Sequence, residues 1–87
     1  MSIKKHIKIE KSKARELRKS NWWVRKKQNA ECYYCSESIE QSEVTMDHII
    51  PLSRWGKSTK SNLVPACKKC NNLKKNKGLF EWTLNGL

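Results

Sequence analysis

Apolar positions in this chain fall in short clusters whose spacing changes along its length. Between about Lys11 and Asn29, Ala14, Leu17, Trp22 and Val24 recur at roughly helical intervals among Arg and Lys. This predicts an amphipathic helix with a break near Ser20-Asn21. Residues 1–10 carry neither a cap nor a regular pattern and read as a basic arm, a candidate for disorder. Val44-Thr45-Met46 and Ile49-Ile50 have strand character, with Asp47-His48 between them, and Pro51 and the polar run Ser53–Ser61 predict a loop. Lys68 to Lys77 suits a short basic helix ended by Gly78. Leu79, Phe80, Trp82 and Leu84 form an apolar tail expected to close over the core. The adjacent Trp22 and Trp23 have two readings, stacking on bases or seating the helix on a small core, and the second is favoured for at least one of them.

At 87 residues the chain is one small domain. It divides into the arm (1–10), the basic helix (11–29), a central unit (30–77) and the apolar closure (78–87). So short a chain buries little apolar surface and calls for a staple. The net charge of +11 is segregated. Residues 1–29 hold eleven Lys/Arg and two acids, a net +9; residues 30–47 hold five acids and no Lys or Arg; residues 54–77 hold eight Lys/Arg and no acid. Such segregation favours a polyanionic partner over a merely solvated exterior. Ile3, Ile7 and Ile9 are separated by Lys and His, which is no signal peptide, and the stretch 49–52 is too short to span a bilayer. The expectation is a soluble intracellular, cytoplasmic protein whose thiols stay reduced.

All four cysteines lie in two C-x-x-C pairs, Cys32/Cys35 and Cys67/Cys70. Each spacing makes a knuckle with both thiolates aimed at one centre, and two knuckles supply the four soft ligands of a closed, structural Zn²⁺ site. Disulfides do not suit a reducing compartment, and a redox C-x-x-C needs only one pair. The 31 residues between the pairs (36–66) exceed the spacing of a plain zinc ribbon and leave room for a hairpin and a loop.

That insert holds Asp47-His48 and Asn62, and Asn71 follows Cys70 directly. Singly these are weak signals, since an Asp-His pair or a turn Asn is common. Together, in the order Cys32-x-x-Cys35, Asp47-His48-Ile49-Ile50-Pro51, Asn62-Leu63-Val64-Pro65-Ala66-Cys67-x-x-Cys70-Asn71-x-x-Lys74, the chain resembles the HNH endonucleases from Cys32 to Lys74. The resemblance implies a small α+β fold: a treble-clef-like ββα-metal core, here stapled by a four-cysteine zinc site and preceded by the basic helix. It also implies hydrolysis of DNA phosphodiester bonds around one catalytic divalent cation. His48 then serves as general base, having an unperturbed pKa near neutrality. Asp47 and Asn71 hold the cation; two oxygen donors with one charge suit Mg²⁺ or Mn²⁺ rather than zinc. Asn62 holds the loop and orients the His48 ring. Asn72 adjoins Asn71 and leaves the register open, with Asn71 favoured because it follows the knuckle directly. A three-histidine metal site is excluded by Asp47, Asn71 and Lys75. His6, the other histidine, reads as a bystander.

Candidate DNA contacts are Arg54, Lys57 and Lys60 in the loop, Lys68, Lys69, Lys74 and Lys75 on the metal-bearing helix, and Arg18, Arg25, Lys26 and Lys27 on the N-terminal one. Trp55 either wedges into a groove or covers an edge of the core. Phosphate contacts position without reading sequence, so low specificity on double-stranded DNA is expected. One His48 and one cation cut one strand per event; cutting both requires repeated binding, a homodimer or a larger nuclease assembly. The alternatives are a non-catalytic zinc-stapled DNA-binding module, and a nuclease for RNA or for branched or modified DNA. No membrane partner is expected.

Overall fold

The first helix, α1 (Ile3–Arg18), opens at Ser2, whose hydroxyl accepts from the Lys5 amide at 3.2 Å. This computed structural model describes residues 1–74; the C-terminal closure, Lys75, Lys77 and Gly78 lie outside the described residues. The arm expected to be patternless is thus helical from Ile3. Its buried stripe is His6, Glu10 and Ala14, one residue per turn at i, i+4 and i+8. Two of the three are polar, which is why an apolar pattern could not announce the stripe.

The break near residue 20 separates α1 from α2 (Asn21–Lys27). Ser20 caps α2, accepting from the Trp23 amide at 3.3 Å, while its hydroxyl donates to the Leu17 carbonyl at 2.6 Å. Trp23 is the anchor, at 2% exposure, whereas Val24, expected on the buried face, is exposed. Trp22 is half-buried, with the Lys26 and Lys60 ammonium groups 5.9 and 5.8 Å from its ring centre.

Two four-residue strands follow, β1 (Thr45–His48) and β2 (Leu63–Ala66), paired antiparallel with Asp47 opposite Val64 and His48 opposite Leu63. Pro65 has no N–H, yet a two-stranded ribbon tolerates it, and its carbonyl accepts from the Tyr33 amide at 3.0 Å. Helix α3 (Lys68–Lys74) follows β2 directly and completes the ββα unit. The small α+β architecture that the family resemblance implied is the one found. The buried cluster around the knuckles is slight: Cys32, Ile39, Ala66 and Cys70, packed by Tyr34, Cys35, Val44 and Cys67, with Ala14, Trp23, Ala30 and Leu63 buried outside it. No helix among the described residues is long and apolar enough to cross a membrane.

The loop between the strands is pinned at Gly56. A Cβ there would stand 1.8 Å from the Ile50 carbonyl oxygen and 2.8 Å from that of Pro51. Both obstacles are backbone and cannot swing aside. Gly56→Ala is therefore expected to cost about 2–3 kcal/mol, read as a lowered urea midpoint with an unchanged slope.

Candidate active site

The two knuckles meet as the spacing required. The first lies inside a bridge between Glu31 and Ser38, and the second begins α3, where the Cys67 thiol accepts from the Cys70 amide at 3.4 Å. The four sulfur atoms all lie within 4.8 Å of one another. Tetrahedral zinc–thiolate bonds place sulfurs about 3.8 Å apart, so the cluster fits the ion, with Cys35 and Cys67 Sγ at 3.9 Å. Burial pushes the Cys32 thiol up, but backbone N–H groups of Cys67, Cys35 and Tyr34 outweigh it and bring it down to about 7. Burial and the neighbouring thiols push Cys70 up. A cation at the centre removes that conflict by binding all four as thiolates.

Asp47 and His48 are consecutive on β1, so their side chains leave the ribbon on opposite faces. Asp47 faces α3 and the first knuckle. Its Oδ2 accepts from the Tyr34 hydroxyl and pairs with Lys74 Nζ at 3.2 Å. Both contacts converge on one carboxylate oxygen, Oδ2. Burial, and next the Asp47 carboxylate, push the Tyr34 hydroxyl up, so it stays a donor. Asn71 reaches the same side of the ribbon: its amide Nδ2 donates to Thr45 Oγ1 at 3.1 Å, two residues before Asp47. Asn72 is exposed. Lys74, expected at the surface among the phosphate-binding lysines, is instead only 4% exposed and donates to the His48 carbonyl at 2.8 Å. One turn beyond Asn71 on α3, it faces β1 and is buried against Asp47.

Asn62 holds the loop. Its Oδ1 accepts from the Ile50 amide at 2.8 Å, and Nδ2 donates to the carbonyls of Ile50 at 3.1 Å and Lys57 at 2.8 Å. The polar contact of the His48 ring is with another residue: Nε2 meets Ser58 Oγ at 2.9 Å. Ser58 is buried and fastened to α1, its amide donating to Glu10 Oε1 at 2.6 Å and its hydroxyl to the Glu10 carbonyl at 2.5 Å. His6, read as a bystander, is buried as well; its Nε2 contacts the Gly56 carbonyl at 2.8 Å and its ring packs 4.9 Å from that of Trp55. Trp55, in the left-handed region at φ 66°, lies across α1 with half its surface exposed. The sequence offered only faint hints of Glu10 and Ser58: one of two acids in a strongly basic segment, and a serine in a polar run.

Burial holds the His48 imidazole below its ordinary 6.5, against the adjacent Asp47 carboxylate and with help from Lys74. Glu10 is held below its ordinary 4.5 by the Ser58 N–H, against burial and with help from Lys13, whose ammonium lies 3.3 Å away. A depressed carboxyl contributes stability above its unfolded pKa and loses it as pH falls through the folded one. Acid is thus expected to loosen α1 from the loop. In urea titrations between pH 6 and pH 3, Glu10→Gln should show a smaller drop in midpoint than the parent.

A groove of about 350 Å³ runs between α1 and β1, lined by Lys11, Arg15, Arg18, Met46, His48 and Leu52. Of the expected DNA-contacting cations, Arg18 borders His48, and Arg15 and Lys11 join it although the sequence did not single them out. Arg25, Lys26, Arg54, Lys57, Lys60 and Lys69 are exposed, and Lys27 is half-buried. Lys68 is exposed and pairs with Glu43 at 2.9 Å.

Residues 32–77, more than half of the chain, match the HNH endonuclease family. The CRISPR-associated endonuclease Cas9 of Corynebacterium diphtheriae is 40% identical over 60 residues, which cover 68% of this chain and 6% of that protein. Cas9 of Actinomyces naeslundii is 34% identical over 56 residues, covering 63% of this chain and 5% of that protein. The chain therefore spans about a twentieth of the length of these relatives.

Proposed function

The chain belongs to the HNH endonuclease family, and from that premise we propose that it nicks double-stranded DNA, with His48 as the general base. The observation that carries this reading is the position of His48. The ring borders a groove edged by three cations of α1, and its carbonyl and the neighbouring Asp47 carboxylate are held by one buried lysine. A DNA strand laid in the groove meets Lys11, Arg15 and Arg18 through its phosphates and presents one of them to the imidazole.

Asp47 Oδ1 and the Asn71 carbonyl oxygen are the hard donors that fit Mg²⁺ or Mn²⁺, and Tyr34 and Lys74 orient the carboxylate. When bound, such a cation supplies Lewis-acid stabilisation of the phosphate and of the leaving 3′-oxygen. His48 withdraws a proton from the attacking water, and Asn62 keeps the loop beside it in one conformation. The four cysteines hold a structural Zn²⁺ in this reading, which a reducing, cytoplasmic setting favours. The contacts proposed here are to the backbone, so sequence specificity is low, and cutting both strands takes repeated binding, a homodimer or a larger assembly.

Supercoiled plasmid tests this reading. Zinc-loaded protein with Mg²⁺ or Mn²⁺ is expected to convert it to nicked circles, with binding that weakens steeply as salt rises. Folded protein that shifts the plasmid yet leaves it closed in both ions would instead identify a binding module. Cleavage of RNA or of branched DNA in preference to the plasmid would replace the substrate.

A further inference from the structure

Helix α1, strand β1 and the loop between the strands meet at Ser58, and α1 alone among them carries no motif residue. We propose that Glu10 and Ser58 are positioning residues for His48, by which the N-terminal helix decides which imidazole nitrogen carries the proton. The proposal rests on the reading of His48 as base and names the atom that acts: Nδ1.

Hydrogen count decides between the two nitrogens. A serine hydroxyl has one hydrogen. Ser58 directs it to the Glu10 main-chain carbonyl at 2.5 Å, and a carbonyl can only accept. Ser58 Oγ is thereby left as an acceptor toward His48 Nε2 at 2.9 Å, so Nε2 is the nitrogen that bears hydrogen in the neutral ring. The lone pair then lies on Nδ1. Ser58 cannot drift from this arrangement, because its own amide is held at 2.6 Å by Glu10 Oε1, whose partner oxygen pairs with Lys13. Two bonds from a single helical residue thus fix the position and the hydroxyl direction of a serine that is 5% exposed. Glu10 lies outside the family-matched segment of residues 32–77, so this chain supports its proposed base from beyond the motif. An ordinary loop attachment would require the same anchoring but would leave the ring tautomer unspecified.

Nitrogen-15 spectra of the histidine side chains, recorded on the zinc-loaded protein above neutral pH, read the tautomer without catalytic metal or DNA. The expected result is a single neutral form of His48 with hydrogen on Nε2. In Ser58→Ala the ring should become a mixture of the two tautomers, and Ser58→Thr, which keeps the hydroxyl, should restore the single form. In plasmid nicking, Ser58→Ala should lower kcat about tenfold with KM unchanged, and add no further loss in a His48→Ala background. A parent ring with hydrogen on Nδ1 overturns the proposal, and so does an unmixed Nε2–H form in Ser58→Ala. Equal losses from Ser58→Ala in both backgrounds also overturn it, since that is the mark of a merely structural residue. Should Ser58→Ala fail to fold, the parent spectrum and that of Ser58→Gly, which also removes the hydroxyl and is expected to be mixed, decide in its place. A wrong base gives a different signature: the expected spectra together with parental nicking by His48→Ala.

Discussion

Stripped of zinc by a chelator at neutral pH, the protein is expected to unfold, losing its helical circular dichroism and regaining it when zinc is restored. The reason is the make-up of the core. Of the four residues in the buried cluster, Cys32 and Cys70 are themselves candidate ligands, and Cys35 and Cys67 pack against them. What remains apolar there is Ile39, Ala66 and Val44 with the Tyr34 ring. Binding of a structural zinc is worth on the order of 10 kcal/mol, comparable with the entire stability of a domain this size, about 10 kcal/mol or less. Removing the ion also returns protons to the thiols, among them Cys70, whose burial favours the neutral form. Elemental analysis should find one zinc per chain. Chelated protein with an unchanged spectrum and melting temperature would contradict the staple.

The second large effect is on chemistry rather than on folding. His48→Ala is expected to lower the nicking rate at least about a hundredfold, the usual contribution of a positioned base. The substitution leaves the Asp47–Lys74–Tyr34 cluster in place, because that cluster occupies the other face of β1 and reaches residue 48 through its carbonyl. DNA affinity should also persist, since the cations lining the groove belong to α1. The measurement is a single-turnover plasmid assay on parent and variant of equal zinc content and melting temperature. Equal rates in the two proteins would remove His48 from the reaction.

What the sequence revealed and what it concealed divide along physical lines. The metal knuckles were legible because ligand spacing is local chemistry: two residues between thiols dictate one kind of turn wherever it occurs. The order Asp47-His48, Asn62, Asn71 was weak residue by residue and was legible only through the resemblance to the family. The seat of α1 was not. A helix announces its buried face by apolar periodicity, and here the face is His6, Glu10 and Ala14, matched by hydrogen bonds to a distant loop. The capped break at Ser20 resets the helical phase as well, so the pattern running through Leu17 pointed to Val24 while Trp23 carries the burial. Lys74 misled in the opposite sense. A lysine in a basic helix reads as a surface cation, and only the approach of α3 to β1 turns it into the partner of Asp47.

The alternation of side chains along β1 sends two adjacent candidate site residues to different neighbours. The Asp47 face draws on Tyr34, Asn71 and Lys74, while the His48 face draws on Ser58 and the N-terminal helix. The side chains that hold the Asp47 carboxylate and the one that meets the His48 ring come from different elements. In the proposed reaction, substitutions in the N-terminal helix are therefore expected to act first on the His48 ring. Substitutions at Asn71 of α3 are expected to act first on the Asp47 side. Two adjacent positions in four residues of strand are thus addressed from different elements, with Lys74 the link between them.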